Sequence, residues 1–508
     1  MSLLSGALGA QSSSDDPFAP GDRWQWSSDV SAPWIPRSVR YVGEGEWVLA
    51  APSVGASGVA LLASADTSGA PLHLAFDWTG STGAIEVRSA GPPRGLFALG
   101  GFPGAAGGRS YELRRYDGEA AARGAAFAPV WTRDLGFQGR VLFEADSVGR
   151  VVRAAESATA SRIDVTWTDA TTGADLVSVP LTGTNLRAFS LSADGSRAAV
   201  SSSGVVRVLD GTGVIGSWGT TGSRAALDDS GTKLAYADGA FVRVAMDHGT
   251  GFQSAFDLAA TGPEVGGKLT WSADGSTLAI AWWNPATTDV RVSVHDTQGA
   301  LLFEGSQSGG AWQNYPAGLA LSANGERLVV GTWGAADGGP ELFLIDVPQQ
   351  LVLMARDLGG SVEDLDLAPD GTRVVVAYKA GHANQLIATG AVEHFDTGER
   401  DFVLTSATRV GGSLTASLEL AAPGLGVFAL GIEAATPWLY PGLGTMFLEP
   451  SAPILWADGI PDGPTRARLD VSIPNSSAVV GLPWLLQAGG VTAQGPFLAD
   501  SVLRPRVL

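Results

Sequence analysis

Short apolar runs, each entered through the same kind of turn, dominate the pattern of hydrophobic and polar positions. The clearest copies are residues 191–200 (LSADGSRAAV), 227–236 (LDDSGTKLAY), 271–280 (WSADGSTLAI), 321–330 (LSANGERLVV) and 367–376 (LAPDGTRVVV). Weaker copies lie upstream, around Gly45, Gly95 and Gly149. Eight turns result. The first and last turn glycines, Gly45 and Gly371, are 326 residues apart over seven intervals, about 47 residues each, the length of a four-stranded blade.

Asp-Gly or Asn-Gly supplies the positive φ of a tight hairpin, and the run that follows, such as Leu328, Val329 and Val330, shows no alternation. A strand apolar on successive residues is buried on both faces, as inner strands are when neighbouring blades sandwich them. The next strand alternates, as in residues 290–295 (VRVSVH) and 341–346 (ELFLID), which suits a middle or outer position. The pattern predicts an all-β chain: an eight-bladed β-propeller, or a seven-bladed one if an early weak repeat is an insertion, followed by a small C-terminal β-sandwich. Residues 24–28 are expected to supply the outer strand of the last blade, hiding a free edge.

These turns resemble those of WD-repeat-like and YVTN-like propellers, whose blades share a Ser-Pro-Asp-Gly type of turn before a Leu-Ala-Val strand. The resemblance covers roughly residues 36 to 405 and lacks the Gly-His and Trp-Asp dipeptides of true WD repeats. From about Ser406 the period stops. Apolar strands are expected near 414–420, 426–432, 446–448, 467–473, 484–487 and 497–502, which read as a β-sandwich. The stretch 473–488 resembles a terminal module of secreted bacterial proteins. The expected division is therefore 1–20 as a signal remnant or disordered N-terminus, 21–405 as propeller and 406–508 as an accessory domain. The small apolar residues of 1–11 and the C-terminal resemblance together imply a secreted, periplasmic or cell-surface protein.

Composition narrows the chemistry. A formal charge of −19 and scattered basic residues exclude a phosphate-backbone binder, so no nucleic acid is expected. With no cysteine there is no disulfide, thiolate metal site or cysteine nucleophile. No run of 18 apolar residues suggests a membrane span. Residues 262–268 (GPEVGGK) match a phosphate loop in spacing only, because Leu269 replaces the magnesium-binding hydroxyl and a strand follows where a helix is required. The Asp-Gly turns offer one or two carboxylates each, too few for calcium. His73, His248, His295, His382 and His394 never take metal-ligand spacing, and there is no Gly-x-Ser-x-Gly elbow. No cofactor or metal is implied. Carboxylates distant in sequence can still converge at a propeller axis, which keeps open a carboxylate-based hydrolase or lyase acting on an extracellular polymer.

The remaining signal is aromatic. The tight turn between first and second strands lies on one rim, so loops after the second strand emerge on the other, beside the connections between blades. Trp282, Trp283, Asn284, Trp333, Tyr378, Lys379, His382 and Asn384 fall in second-strand loops, and Trp312, Asn314 and Tyr315 in a blade connection. These are the candidate ligand-binding residues of a binding or interaction propeller, the ligand being a glycan or a protein segment. The competing expectation is that the tryptophans turn inward and seal the interfaces between blades.

Overall fold

The computed structural model describes residues 24–27, 35–42, 47–54, 57–58, 61–64, 78–79, 86–89, 95–103, 109–117, 129–309, 313–334, 340–356, 358–382, 385, 389–396, 402–404, 413–420, 424–440, 444–448, 455–461, 466–472, 484–492 and 495–503. Contacts divide the chain into two compact units, one built on residues 25–394 and one on residues 395–508.

The first unit is a β-propeller of successive antiparallel sheets. Four of them have four strands in sequence order, running from Leu186–Leu191 to Gly213–Gly219, from Ala225–Leu227 to Phe252–Ala259, from Val265–Trp271 to Leu301–Gln307, and from Pro316–Leu321 to Leu351–Arg356. Upstream, Ile35–Val42 and Trp47–Val54 open a five-stranded sheet, and a seven-stranded sheet follows from Glu86–Ser89 to Asp175–Thr182. That larger sheet is two units joined through one long strand, Trp131–Ala145. Residues 131–138 of this strand pair backward with Arg109–Asp117, and residues 138–145 pair forward with Arg150–Ser157. Irregularities at Asp134/Gly136 and Gln138/Arg140 provide the bend that carries one backbone from the outside of one unit to the inside of the next.

The last sheet holds Ser361–Leu367, Arg373–Lys379 and Gly390–Asp396, and its outermost strand is Trp24–Ser27 from the other end of the chain. First strands pack against one another in turn, and the cycle closes where Ser361–Leu367 meets Ile35–Val42. Turn glycines Gly195, Gly231, Gly275, Gly325 and Gly371 all sit at φ between 65° and 75°, as the tight hairpin requires. The turns are also tied around the ring: Ala193 N donates to Asp229 O, Asp274 N to Ala323 O and Ala323 N to Pro369 O.

The core lies between sheets. Ala279, Val290, Val292 and Val294 of one sheet pack with Leu328, Val330 and Ile345 of the next. Second strands are buried on both faces, as their unbroken apolar runs require. The alternating strand Val290–Asp296 differs from its sequence pattern. Arg291, Ser293 and His295 are buried as well, because the neighbouring sheet covers that face and the polar groups satisfy one another. Arg291 pairs with Glu264 at 2.7 Å, and Ser293 contacts the His295 ring at 3.0 Å.

The C-terminal unit has two antiparallel sheets. One contains Phe402–Leu404, Ser413–Glu419, Arg466–Ser472 and Ile460–Pro461; the other contains Gly444–Leu448, Gly424–Tyr440, Trp484–Thr492 and Gly495–Leu503, with Leu455–Asp458 on the side. Strand Gly424–Tyr440 runs 17 residues, longer than the expected 426–432. Strand Phe402–Leu404, which lies before position 405, pairs with Ser413–Glu419 of this unit. The sheets meet at Gly426, where a Cβ would stand 2.3 Å from that of Ala467 and 3.2 Å from Leu418.

Removing residues 1–27 should leave Gly390–Asp396 with an open edge. At about 1 kcal/mol per lost ladder hydrogen bond, several kcal/mol of stability should go, together with a tendency to self-associate. Calorimetry and light scattering of the truncated chain would check this, and an unchanged melting temperature would contradict it.

Candidate functional site

Three partly exposed aromatic rings meet where strands end and connections begin. Trp283 closes the strand Thr277–Trp283, Tyr315 immediately precedes Pro316–Leu321, and Trp333 follows Arg327–Thr332. The Trp283 and Tyr315 rings lie edge to face with centroids 5.3 Å apart, and the Trp333 ring is tilted against Tyr315 with centroids 5.2 Å apart. The Trp283 indole donates to Asn314 O at 2.9 Å, and Trp333 N donates to Tyr315 O at 3.0 Å. Asn314, fully buried, is the centre of the arrangement. Its Oδ1 accepts from Tyr315 N and Gly334 N, and its Nδ2 donates to Gln307 Oε1 at 3.1 Å. Arg224, from an earlier blade, donates to the Tyr315 hydroxyl at 2.8 Å and to Gly267 O.

His382 joins this group from the last sheet: its Nδ1 lies 3.3 Å from Trp333 O and 3.6 Å from the buried carboxylate of Glu341. Its backbone N donates to Gln385 Oε1. Ser361 Oγ also donates to Trp333 O, so the Trp333 backbone is held by two neighbours.

Other candidates stand elsewhere. Trp282 is 1% exposed and points away from Trp283, because successive residues of a strand face opposite sides of the sheet. Its indole donates to Ser293 Oγ, Arg291 lies 5.0 Å over its ring, and it packs with Val242, Val244 and Ile280 between blades. Trp282 is thus an interface residue, as the competing expectation had it. Tyr378 is likewise buried, its hydroxyl donating to Glu393 at 2.7 Å. Lys379 is buried and donates to Gln385 O at 3.3 Å, and burial lowers its pKa. Asn284 serves its own loop, accepting from Ala286 N at 3.0 Å. Trp312 and Asn384 lie outside the described residues.

A second cluster, missed in the sequence, occupies the ring axis. Arg40 pairs with Asp364 at 2.6 Å, Arg88 with Glu144 at 2.7 Å, and Asp366 accepts from Tyr41 N at 2.8 Å. Burial raises the pKa of Glu86 and of Asp366. Burial, and then the Arg224 charge, lowers that of Lys268 to about 8. A local signal existed: charges set among the apolar residues of a first strand, as in residues 362–367 (VEDLDL).

No family model matches the chain, and no curated protein matches it. Many solved structures do. One is the crystal structure of the C-terminal WD40 domain of Sif2, with a TM-score of 0.48 and 12% identity, covering 72% of this chain and 97% of that one. The propeller fold stands on the order of the sheets themselves.

The difference between adjacent tryptophans is measurable. Trp282→Ala should cost about 3–5 kcal/mol, as deletion of a fully packed indole does. Trp333→Ala, at a partly exposed ring, should cost about half of that or less. Denaturant unfolding of the two variants would check the order, and equal losses would show that Trp333 is also an interface residue.

Proposed function

We propose that this propeller is an interaction module that docks a protein segment on the rim carrying Trp283, Tyr315, Trp333 and His382. One observation carries the reading: three partly exposed aromatic rings are gathered around a fully buried asparagine, and only Trp283 of the three also packs against the core between blades. Preorganised aromatic side chains with a polar edge provide contact area at little entropic cost, which is what docking surfaces use. On our reading the ring has eight blades, supported by the succession of first strands and by the two units within the seven-stranded sheet.

A protein segment is favoured over a glycan by ring geometry. Sugar stacking needs an open aromatic face, whereas the Tyr315 ring is crowded by two indoles, with centroids 5.3 and 5.2 Å away. A hydrolase or lyase is disfavoured by the way the axial carboxylates are spent. Asp364 accepts from Arg40 and Val39 N, Asp366 from Tyr41 N and Leu367 N, and Glu144 from Arg88, leaving no free acid and base pair among these three.

The test is selection of a displayed peptide library on the full chain, in parallel with a glycan array. Selected peptides should bind Trp333→Ala at least tenfold more weakly, with its fold intact by circular dichroism. Saturable binding to glycans alone, or peptides indifferent to Trp333, would refute the proposal.

A further inference from the structure

Between two blades runs a chain of three hydrogen-bonding side chains. The Trp282 indole donates to Ser293 Oγ at 2.9 Å, Ser293 Oγ lies 3.0 Å from His295 Nε2, and His295 Nδ1 lies 3.2 Å from Gly299 O. Trp282 and Ser293 are 1% exposed and His295 8%. The partners at each end fix the protons in between. Gly299 O can only accept, so Nδ1 carries the imidazole hydrogen and Nε2 is left with its lone pair. Ser293 already accepts from Trp282, so its own hydrogen goes to Nε2. These are the two hydrogen bonds of Ser293 Oγ among the described residues.

A proton taken from solvent onto Nε2 turns that nitrogen into a donor. Ser293 then faces two donors, its own hydrogen loses its acceptor in a buried place, and a charge is buried beside it. Burial lowers the His295 pKa below its ordinary 6.5 and the Arg291 charge acts the same way, while the Gly299 bond and the charges of Asp296 and Glu304 oppose them. Those charges are already engaged. Arg291 pairs with Glu264 at 2.7 Å and with Glu304 at 3.2 Å, and Asp296 accepts from Gln298 N and Ala300 N of its own turn. The adjoining strand Thr277–Trp283 carries no charge. On the preceding sheet, which packs on Trp282 through Val242, Val244 and Phe256, Arg243 pairs with Asp238 and Asp257, and Asp247 pairs with Arg197. The other face of the His295 strand, at Val290, Val292 and Val294, meets the next sheet.

The chain reaches the rim at its Trp282 end. Trp282 and Trp283 close the same strand, so one backbone step separates the indole bonded to Ser293 from the indole bonded to Asn314 O. Arg291, 5.0 Å over the Trp282 ring, is paired in turn with Glu264 in the connection that enters this blade. We propose that Trp282, Ser293 and His295 form an acid-sensitive latch between two blades: protonation of His295 opens it, and the segment docked beside Trp283 is released. The proposal rests on the rim as the docking face and names how that face is regulated. The unfolded chain takes up a proton near pH 6.5 and the folded chain only below it. The stabilisation from neutral His295 is therefore complete above 6.5 and is lost as the pH falls, until the folded chain is protonated too. Docking favours the closed latch, so by reciprocity a docked segment lowers the His295 midpoint by the factor by which protonation weakens docking.

The five histidines of the full chain, labelled with nitrogen-15 in the ring, report tautomer and midpoint directly. His295 should show the Nδ1–H form at about pH 8 and a midpoint below 6.5. Its signals are identified by their loss in His295→Asn, or in His295→Gln if the first variant does not fold. As the pH is lowered through that midpoint, the native melting temperature should fall by several degrees more than that of the variant, in which His382 and every other titrating group remain. A selected peptide should bind native protein about tenfold more weakly below the midpoint than above it, beyond any loss in the variant, and should lower the midpoint by about one unit. An Nε2–H tautomer, a midpoint at or above 6.5, or a midpoint that bound peptide leaves in place would overturn the proposal. If His295 behaves as stated in the free chain while peptides ignore Trp333, the rim is lost and only the latch between blades stands. If peptides depend on Trp333 while His295 does not respond to them, the rim stands and its regulation is lost.

Discussion

A strand at the centre of a propeller has a hydrogen-bonded partner on one side only, and its other edge of amide groups faces the axis. Those inward groups must be satisfied without water-rich surroundings and without another strand. In this protein the answer is handed from blade to blade. Asp364 and Asp366 accept from Val39 N and Tyr41 N, Ser38 Oγ from Val87 N, and Ser190 Oγ from Leu227 N. In these three steps a first strand is capped by the side chains of the one before it. Ring closure by Trp24–Ser27 solves the same problem at the outer edge.

This constraint decides which charged groups are free. Asp364, Asp366 and Glu144 look, from their residue types, like acid and base catalysts, yet they accept hydrogen bonds from backbone amides and from Arg40 and Arg88.

Strand parity decides the rim in the same way. Trp282 and Trp283 are neighbours in sequence, but one fills the interface between blades and the other turns to Tyr315. The two adjacent indoles thus face opposite sides of one sheet, Trp282 fully buried and Trp283 partly exposed while still packing against the next interface. Asn314 then converts three separate loop ends into one rigid group, since a single buried amide reaches Tyr315 N, Gly334 N and Gln307.

The turns and the doubly buried second strands were legible in the sequence because each depends on residues within ten positions of one another. Asp274-Gly275 makes its hairpin whatever surrounds it, and an unbroken run such as 328–330 has to be covered on both faces. Strand length and turn position also put Trp283, Tyr315 and Trp333 beside strand ends, where they stand. The pairing of Arg40 with Asp364 spans 324 residues, and no local pattern encodes which blades face each other across a ring. Charges within residues 362–367 announced a polar first strand, but not which groups it would meet across the ring. Local geometry is written in the chain, whereas the sharing of charge around an axis exists only once the ring has closed.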